Sequence, residues 1–478
     1  MPDSVRSQGL SRRESLRNML AASAALLVAG SARGESAAPK RKPNVLYVFS
    51  DQHRWHSMSF TEQPQLQTPN MARLAGDGAS FSRCVSNYPV CSPYRAMLLT
   101  GRWPYQTGII DNNIPLGTTE QTLGKLFKSA GYRTGYIGKW HLGGERAEPY
   151  GFDESLVWEG TNTHWDQSTY YPAKGEPVQP KGYNATLMTD QALGFVEAHK
   201  DEPFLLLLSL NPPHSNFLDP PQAKKDLYPE GSIPYRPNVP EKPKGGDTAG
   251  QPKKNKNVDL SRDDWPTQQG YHAHISAIDD ELGRLLKKLD DLGIAGNTIV
   301  VYSSDHGSMQ GSHGLGGKRQ PHEESIRVPF IIRYPGVIAP GRKEDALFGA
   351  IDIAPTLTRL AGLEKQDAFV GQDFSPLLRG EKFDAPKAQL IMHIAKENAS
   401  GGQEHPAPLF RGLRTERYTY AEVVEGGGFL FDNQEDPYQL KNLFDDGARA
   451  EQRLALHTQL LEALRKAQDP LGTSPAKA

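Results

Sequence analysis

The sequence predicts an α/β fold: a large mixed, mostly parallel sheet sandwiched by helices, with a small C-terminal α+β subdomain containing an antiparallel sheet. Three observations carry that expectation. Short β-rich runs alternate with helical segments along most of the chain. The run Phe204 to Leu210 is apolar almost throughout, as a strand covered on both faces requires. Past Pro376 the pattern changes to closely spaced strand-like segments and a terminal helix.

Taken in order, Val45 to Phe49 is the first strand, ending at Ser50-Asp51-Gln52-His53. A helix follows, with Thr68 as N-cap, Pro69 at its first position and Gly76 or Gly78 to end it. Thr122 to Ala130 is a second helix, closed by Gly131. The strand Arg133 to Ile137 runs into Gly138-Lys139-Trp140-His141, and Phe204 to Leu210 runs into Asn211-Pro212-Pro213-His214. Asp219 to Asp263 is rich in Pro, Gly and Lys without a clear period, and reads as a long surface loop whose Lys253 to Lys256 is solvated. A long amphipathic helix covers Tyr271 to Leu292, and the strand Thr298 to Tyr302 ends at Ser303-Ser304-Asp305-His306-Gly307. Arg327 to Phe330, Arg414 to Tyr420 and Gly428 to Phe431 are further strands, and Ala448 to Ala467 is the terminal helix. The domains expected are 43–380 and 386–470.

Four strands thus deliver titratable residues just past their C-terminal ends. In open α/β sheets the ligand crevice lies there, because the loops converge. A single Asp or His in a loop is ordinarily a surface charge or a cap. Four on one predicted edge point to a site.

The chain has 478 residues, enough for one large domain and a smaller one. Its formal net charge of -2 gives no global basic field for nucleic acid or an acidic membrane surface. An anionic substrate would need positive charge concentrated locally. At the N-terminus, Ser11-Arg12-Arg13-Glu14-Ser15-Leu16-Arg17 precedes an apolar run from Met19 to Ala29 and then Gly30-Ser31-Ala32. Residues 1–32 read as a twin-arginine signal cleaved near Ala32, with an apolar run too short to span a bilayer. The expectation is export by the twin-arginine (Tat) machinery to the periplasm or medium, with no stable membrane insertion. Two cysteines, Cys84 and Cys91, exclude a disulfide scaffold. They could pair with each other, at the expense of the chemistry below.

Cys91-Ser92-Pro93-Tyr94-Arg95 is the most informative stretch. A cysteine in C-x-P-x-R can be oxidised to the aldehyde Cα-formylglycine, whose hydrate is a nucleophile that no standard side chain supplies. A chance match at either cysteine has odds of about half a per cent at average residue usage. Asp51, Asp305 and Gln52 offer oxygen ligands suited to Ca²⁺ or Mg²⁺, and His306 could add a nitrogen. No cluster has typical zinc spacing. The plain alternative for Asp305-His306-Gly307 is a turn whose Asp caps local amides. Arg95, Lys139, His141, His214 and Lys318 would make a positive pocket for a tetrahedral oxyanion, the histidines moving protons. His53, Arg54, Trp55, His164 and Trp165 are candidate pocket walls.

Together these residues resemble the formylglycine-dependent sulfatases of the alkaline-phosphatase superfamily, over about Pro43 to Asn442. The carriers are Ser50-Asp51-Gln52, the Cys91 motif with Thr100-Gly101-Arg102, Gly138-Lys139-Trp140-His141, Pro213-His214, Ser304-Asp305-His306-Gly307, Lys318, and the block Phe431-Asp432 to Asp436-Pro437 and Lys441-Asn442-Leu443. The resemblance implies an alkaline-phosphatase-like fold and a formylglycine at position 91 made by a formylglycine-generating maturation enzyme. Its hydrate would bind Ca²⁺ with Asp51, Gln52, Asp305 and His306, and attack the sulfur of a sulfate ester, for example on a carbohydrate. Arg95 favours the ionised oxygen, Lys139 and Lys318 stabilise the sulfuryl group, His214 protonates the leaving alcohol, and His141 accepts the proton that releases sulfate. Gln52, His306 and Tyr94 stand where many relatives have Asp, Asn and Ser. Two other readings stay open: a phosphonate monoester or phosphodiester hydrolase using the same aldehyde, and a sulfated-glycan binding protein whose Cys91 is never oxidised.

Overall fold

Strand β1 (Asn44–Ser50) is buried at all seven positions, which only a central strand covered on both faces achieves. In the computed structural model, residues 41–144, 146–158, 163–166, 168–241, 261–262, 264–395 and 407–473 are described. The expected signal at 1–32 and Lys253 to Lys256 lie outside them.

The other strands are β2 (Ala79–Phe81), β3 (Cys84–Val85), β4 (Arg133–Lys139), β5 (Glu154–Trp158), β6 (Tyr170–Pro172), β7 (Phe204–Leu210), β8 (Thr298–Ser304), β9 (Phe330–Arg333), β10 (Arg342–Glu344) and β11 (Phe348–Gly349). Four more follow: β12 (Ala388–His393), β13 (Phe410–Thr415), β14 (Tyr418–Val423) and β15 (Gly428–Asp432). Nine of them form one sheet in the order β10-β2-β9-β8-β1-β7-β4-β5-β6. Its centre, β8-β1-β7-β4-β5, is parallel, while β9 and β6 run antiparallel to their neighbours. Alternation along β1 sends Val45, Tyr47 and Phe49 into one hydrophobic layer and Leu46 and Val48 into the other. The helix Cys91–Thr100 belongs to the first layer, and the helices Asn184–Ala198 and Trp265–Asp291 to the second.

Register decides what meets at the sheet's edge. Ser50 pairs with Leu210 and with Ser304, so Asp51, Asn211 and Asp305 leave three adjacent strands at one level. Gly138 pairs with Ser209, bringing Lys139 to the same edge. Only glycine fits at 138: its φ is +108° and a Cβ there would lie 1.9 Å from the Ser209 carbonyl oxygen.

Several boundaries differ from expectation for physical reasons. The long helix begins at Trp265, because Asp264 accepts from the Thr267 amide and Pro266 suits a first turn. Thr68 occupies the N-cap of Pro69–Gly76, but its hydroxyl bonds Ser59, and Asp279 of the long helix takes the Asn70 and Met71 amides instead. The strand expected at 327–330 is Phe330–Arg333, since Pro329 has no N–H for a ladder. Arg414 to Tyr420 is not one strand: Glu416 and Arg417 turn the chain between β13 and β14. The segment after Asp219 is not all surface, as Tyr228, Ile233 and Val239 are buried. Strands β12 to β15 form an antiparallel sheet in sequence order. One face (Leu390, Met392, Leu413, Tyr420, Leu430) joins the main core with Leu456, Leu460 and Leu464 of the helix Ala450–Lys466.

Candidate active site

Cys91 is the first residue of its helix, after Val90 in extended conformation, and is 1% exposed. Its Sγ lies 3.2 Å from His306 Nε2, 3.5 Å from Lys318 Nζ and 3.7 Å from Asp51 Oδ1. Cys84 and Cys91 are not joined by a disulfide. Arg95 sits one helical turn on, on the same face. Its Nη2 donates to Asp305 Oδ2 at 3.1 Å and to Asp51 Oδ2 at 3.3 Å. Its Nη1 donates to the Lys139 carbonyl at 2.7 Å and to Ser209 Oγ at 2.6 Å. One guanidinium therefore ties together the ends of β1, β4, β7 and β8.

Lys139 Nζ is 2.6 Å from Asp51 Oδ2, and Lys318 Nζ is 3.0 Å from His214 Nε2 and 3.3 Å from Gln52 Oε1. His141 hydrogen-bonds Cys91, and its Nδ1 is buried without a partner among the described residues. Gln52 and His141 hold φ of +73° and +56°, a region costly for non-glycine residues that persists where surroundings enforce it. All the expected catalytic and metal residues, Asp51, Gln52, Cys91, Arg95, Lys139, His141, His214, Asp305, His306 and Lys318, thus meet in one cluster, buried except for half-buried His141 and Lys318.

The charges polarise one another. Burial raises Asp51, but Lys139, His214, His306 and Lys318 outweigh it and hold the carboxyl well below its usual range. Burial and the Asp51 charge push Asp305 up to about 6. Burial and Asp51 also raise the Cys91 thiol, yet Lys318, Lys139 and His306 win and bring it well below its ordinary value. Burial and Lys318 keep His214 well below the usual imidazole value, and burial lowers His141. Asp305 also accepts from the Gln52 and His306 amides at 3.0 and 2.8 Å, so the plain capping role is real and coexists with the cluster.

The ligand atoms of Asp51, Cys91, Asp305 and His306 lie within 4.8 Å of one another, so this buried set can hold a metal ion. Two carboxylates and a nearby amide oxygen suit a hard divalent cation. The Cys91 sulfur is the one soft donor, and an oxygen at that position would remove the mismatch.

Sequence reasoning missed some members. Ser209 receives Arg95, and its one signal is that it interrupts an apolar strand. Ser308 accepts from Gln52 Nε2, and Asn112 from the Ser92 amide. Other expected residues do not join the site. His53 bonds the Tyr302 hydroxyl and Ser57 carbonyl, and Arg54 packs on the Tyr271 ring, both deeply buried. Trp55 donates to the Phe81 carbonyl under the Arg327 guanidinium. Thr100-Gly101-Arg102 ends the Cys91 helix: Gly101 takes φ +60°, and Arg102 pairs with Glu120.

The sulfatase family model matches residues 43–363. The chain belongs to the sulfatase family. It is a sulfuric ester hydrolase with the mixed sheet and C-terminal antiparallel sheet of alkaline-phosphatase-like enzymes. A second model, N-sulphoglucosamine sulphohydrolase, C-terminal, matches residues 311–467. The sulfatase is 36% identical over 415 residues to the ulvan-active sulfatase of Formosa agariphila, covering 84% of this chain and 77% of that one. It is 29% identical over 522 residues to N-acetylglucosamine-6-O-sulfatase of Bacteroides thetaiotaomicron, covering 93% and 89%. A solved structure in complex with its substrate D-glucosamine-2-N,6-O-disulfate superposes with a TM-score of 0.81 at 27% identity, covering 90% of this chain and 99% of that one.

Proposed function

We propose that this sulfatase cleaves a sulfate ester on a carbohydrate, with Cys91 converted to formylglycine and a divalent cation, Ca²⁺ before Mg²⁺, held by Asp51, Asp305, His306 and Gln52 Oε1. The observation that carries the reading is the convergence of His306, Lys318, His141 and Asp51 on Cys91 Sγ. The names of the relatives, one active on ulvan and one on an N-acetylglucosamine 6-sulfate, support a sugar as the alcohol. When present, the hydrated aldehyde supplies an oxygen nucleophile and the cation lowers that oxygen's proton affinity.

The chain's own residues do the rest. Lys139 and Lys318 face the sulfuryl oxygens as point charges in a water-poor site, where such charges act most strongly. Arg95 orients both carboxylates, so each presents an oxygen toward position 91. Lys318 Nζ donates to His214 Nε2, and the pair delivers the proton to the departing sugar oxygen. His141, kept neutral by burial, accepts the proton at position 91 that frees sulfate. Conversion requires a maturation enzyme of the formylglycine-generating type. Residues 1–32 supply Tat export to the periplasm or medium. Among the described residues no helix is long and apolar enough to cross a membrane.

Two measurements test this together. Peptide mass spectrometry of active protein should find position 91 about 18 Da lighter than cysteine, as loss of the thiol in favour of a carbonyl requires. A panel of sulfated mono- and oligosaccharides, run beside an aryl phosphodiester, should show preference for a sulfated sugar. A thiol in fully active protein, or a large preference for the phosphodiester, defeats the proposal.

A further inference from the structure

Away from the catalytic cluster, two imidazoles and a carboxylate from three separate segments converge. His164 lies on the segment 163–166, Asp219 five residues beyond His214, and His274 on the third turn of the helix Trp265–Asp291. His164 Nδ1 is 2.7 Å from Asp219 Oδ1, and His274 Nε2 is 3.3 Å from the same oxygen. The two rings are 4.3 Å apart at their centroids. Both imidazoles are fully buried, while the Asp219 side chain is 25% exposed.

An ion pair needs one imidazole, and here two are aimed at a single carboxylate oxygen. The ligand atoms lie within 4.8 Å of one another. Metal-binding histidines are held by a hydrogen bond on the other ring nitrogen, and His274 Nδ1 has one, 2.7 Å from the Tyr183 hydroxyl. The Asn216 carbonyl accepts from His274 Nε2 at 3.1 Å, a bond that an ion on that nitrogen would replace, and the exposed side of Asp219 leaves room for water. Two nitrogens and one carboxylate, with a position open to solvent, are the donor set of Zn²⁺ and neighbouring first-row ions. The catalytic cluster, richer in carboxylate, suits a harder cation.

We propose that His164, Asp219 and His274 form a second divalent-metal site, of the zinc class, that pins the loop running from His214 to Asp219. On binding, the ring nitrogens facing Asp219 lose their protons to the far nitrogens, and His274 Nδ1–H then donates to Tyr183. The ion adds a cross-link between the long helix, the segment 163–166 and the loop that begins at His214.

The test is titration of chelator-stripped, full-length protein with Zn²⁺ and with Co²⁺, in the wild type and in Asp219→Asn and His274→Gln. The wild type should take up one equivalent that each variant lacks. Its visible Co²⁺ absorption should be absent from both variants, and Zn²⁺ should raise the melting temperature of the wild type alone. Tyr183→Phe should keep the equivalent but bind about 10–100-fold more weakly. Equal uptake and equal Co²⁺ spectra in wild type and both variants overturn the proposal. The same comparison in a Cys91→Ala background removes turnover and leaves these three residues in place. A difference there supports the second site whatever becomes of the catalytic reading, and its absence there counts against it.

Discussion

The catalytic edge and the junction beneath the C-terminal sheet both bury carboxylates against cationic side chains, yet they balance charge differently. At the junction Glu323 takes a forked contact from Arg414 at 2.7 and 3.2 Å and lies 3.6 Å from Arg327. Glu324 pairs with Arg236, which also meets Glu62. Each of the three carboxylates is in direct contact with a guanidinium, a closed set of ion pairs, and buried Arg54 adds a longer-range charge on Glu62 and Glu324. At the edge, Asp51 and Asp305 share Arg95, while Lys139 and Lys318 act on Asp51, so cations exceed carboxylates before any metal is added. The closed set holds parts of the fold in register. The open set directs its cationic side chains toward position 91, an arrangement suited to an anionic sulfate ester.

The largest expected effect breaks the comparison at its focus. Cys91→Ala should lower sulfate ester turnover by about 10⁴-fold or more, since it removes the proposed nucleophile, while urea denaturation stays close to the wild type. Arg414→Ala should do the reverse. It leaves Glu323 buried without its forked partner and should cost about 3–5 kcal/mol in denaturation. The kcat of the folded fraction should be unchanged. Lys318→Met then sharpens the contrast: kcat should fall about 10²–10³-fold from loss of oxyanion stabilisation, with a denaturation midpoint close to the wild type. Equal losses of stability and kcat in both variants would erase the distinction between closed and open sets.

Much of this was legible in the sequence because the edge is built from strand ends. Val45 to Phe49, Phe204 to Leu210 and Thr298 to Tyr302 each announce a buried strand, and the polar residues following them needed only the parallel register to meet. The Cys91 motif marked the helix start on which the cluster converges. Less visible were groups whose role exists only across the fold. Ser209 lies inside an apolar run yet receives Arg95, and Asp279 caps a helix some two hundred residues away. His53 and Arg54 misled because they follow Asp51 directly, but the chain turns at Gln52, where φ is positive, and carries them into the core. The junction pairs were unreadable, since no local pattern ties Glu323 to Arg414.

The junction should also carry a pH signature. Burial raises Glu324, but Arg236, with His313 and the Asn238 hydrogen bond, holds it down at about 2, against 4.5 ordinarily. The folded state therefore binds fewer protons than the unfolded state between those values. Its stabilising contribution is full above about pH 4.5 and is lost as pH falls through about 2. The size is roughly 3 kcal/mol. An acid denaturation series should show that slope in the wild type and not in Glu324→Gln, and identical curves would remove Glu324 from the closed set.

The smallest effect concerns the Cys91 motif itself, whose residues divide between the two kinds of environment. Cys91 and Arg95 face the cluster, whereas Tyr94 packs in the core with its ring 6.4 Å from that of Phe49 and its hydroxyl 3.0 Å from that of Tyr47. Tyr47 also bonds Ser303, so removing the Tyr94 hydroxyl does not strand it. The Tyr94 hydroxyl bonds Tyr47 and Ser303, so Tyr94→Phe should cost only about 1–2 kcal/mol, the net worth of two neutral hydrogen bonds. The fraction of position 91 converted, read by peptide mass spectrometry, should equal the wild type's, and so should kcat. A tenfold fall in either at unchanged stability would mean that position 94 serves the chemistry, and that the division between the two faces of this helix is drawn in the wrong place.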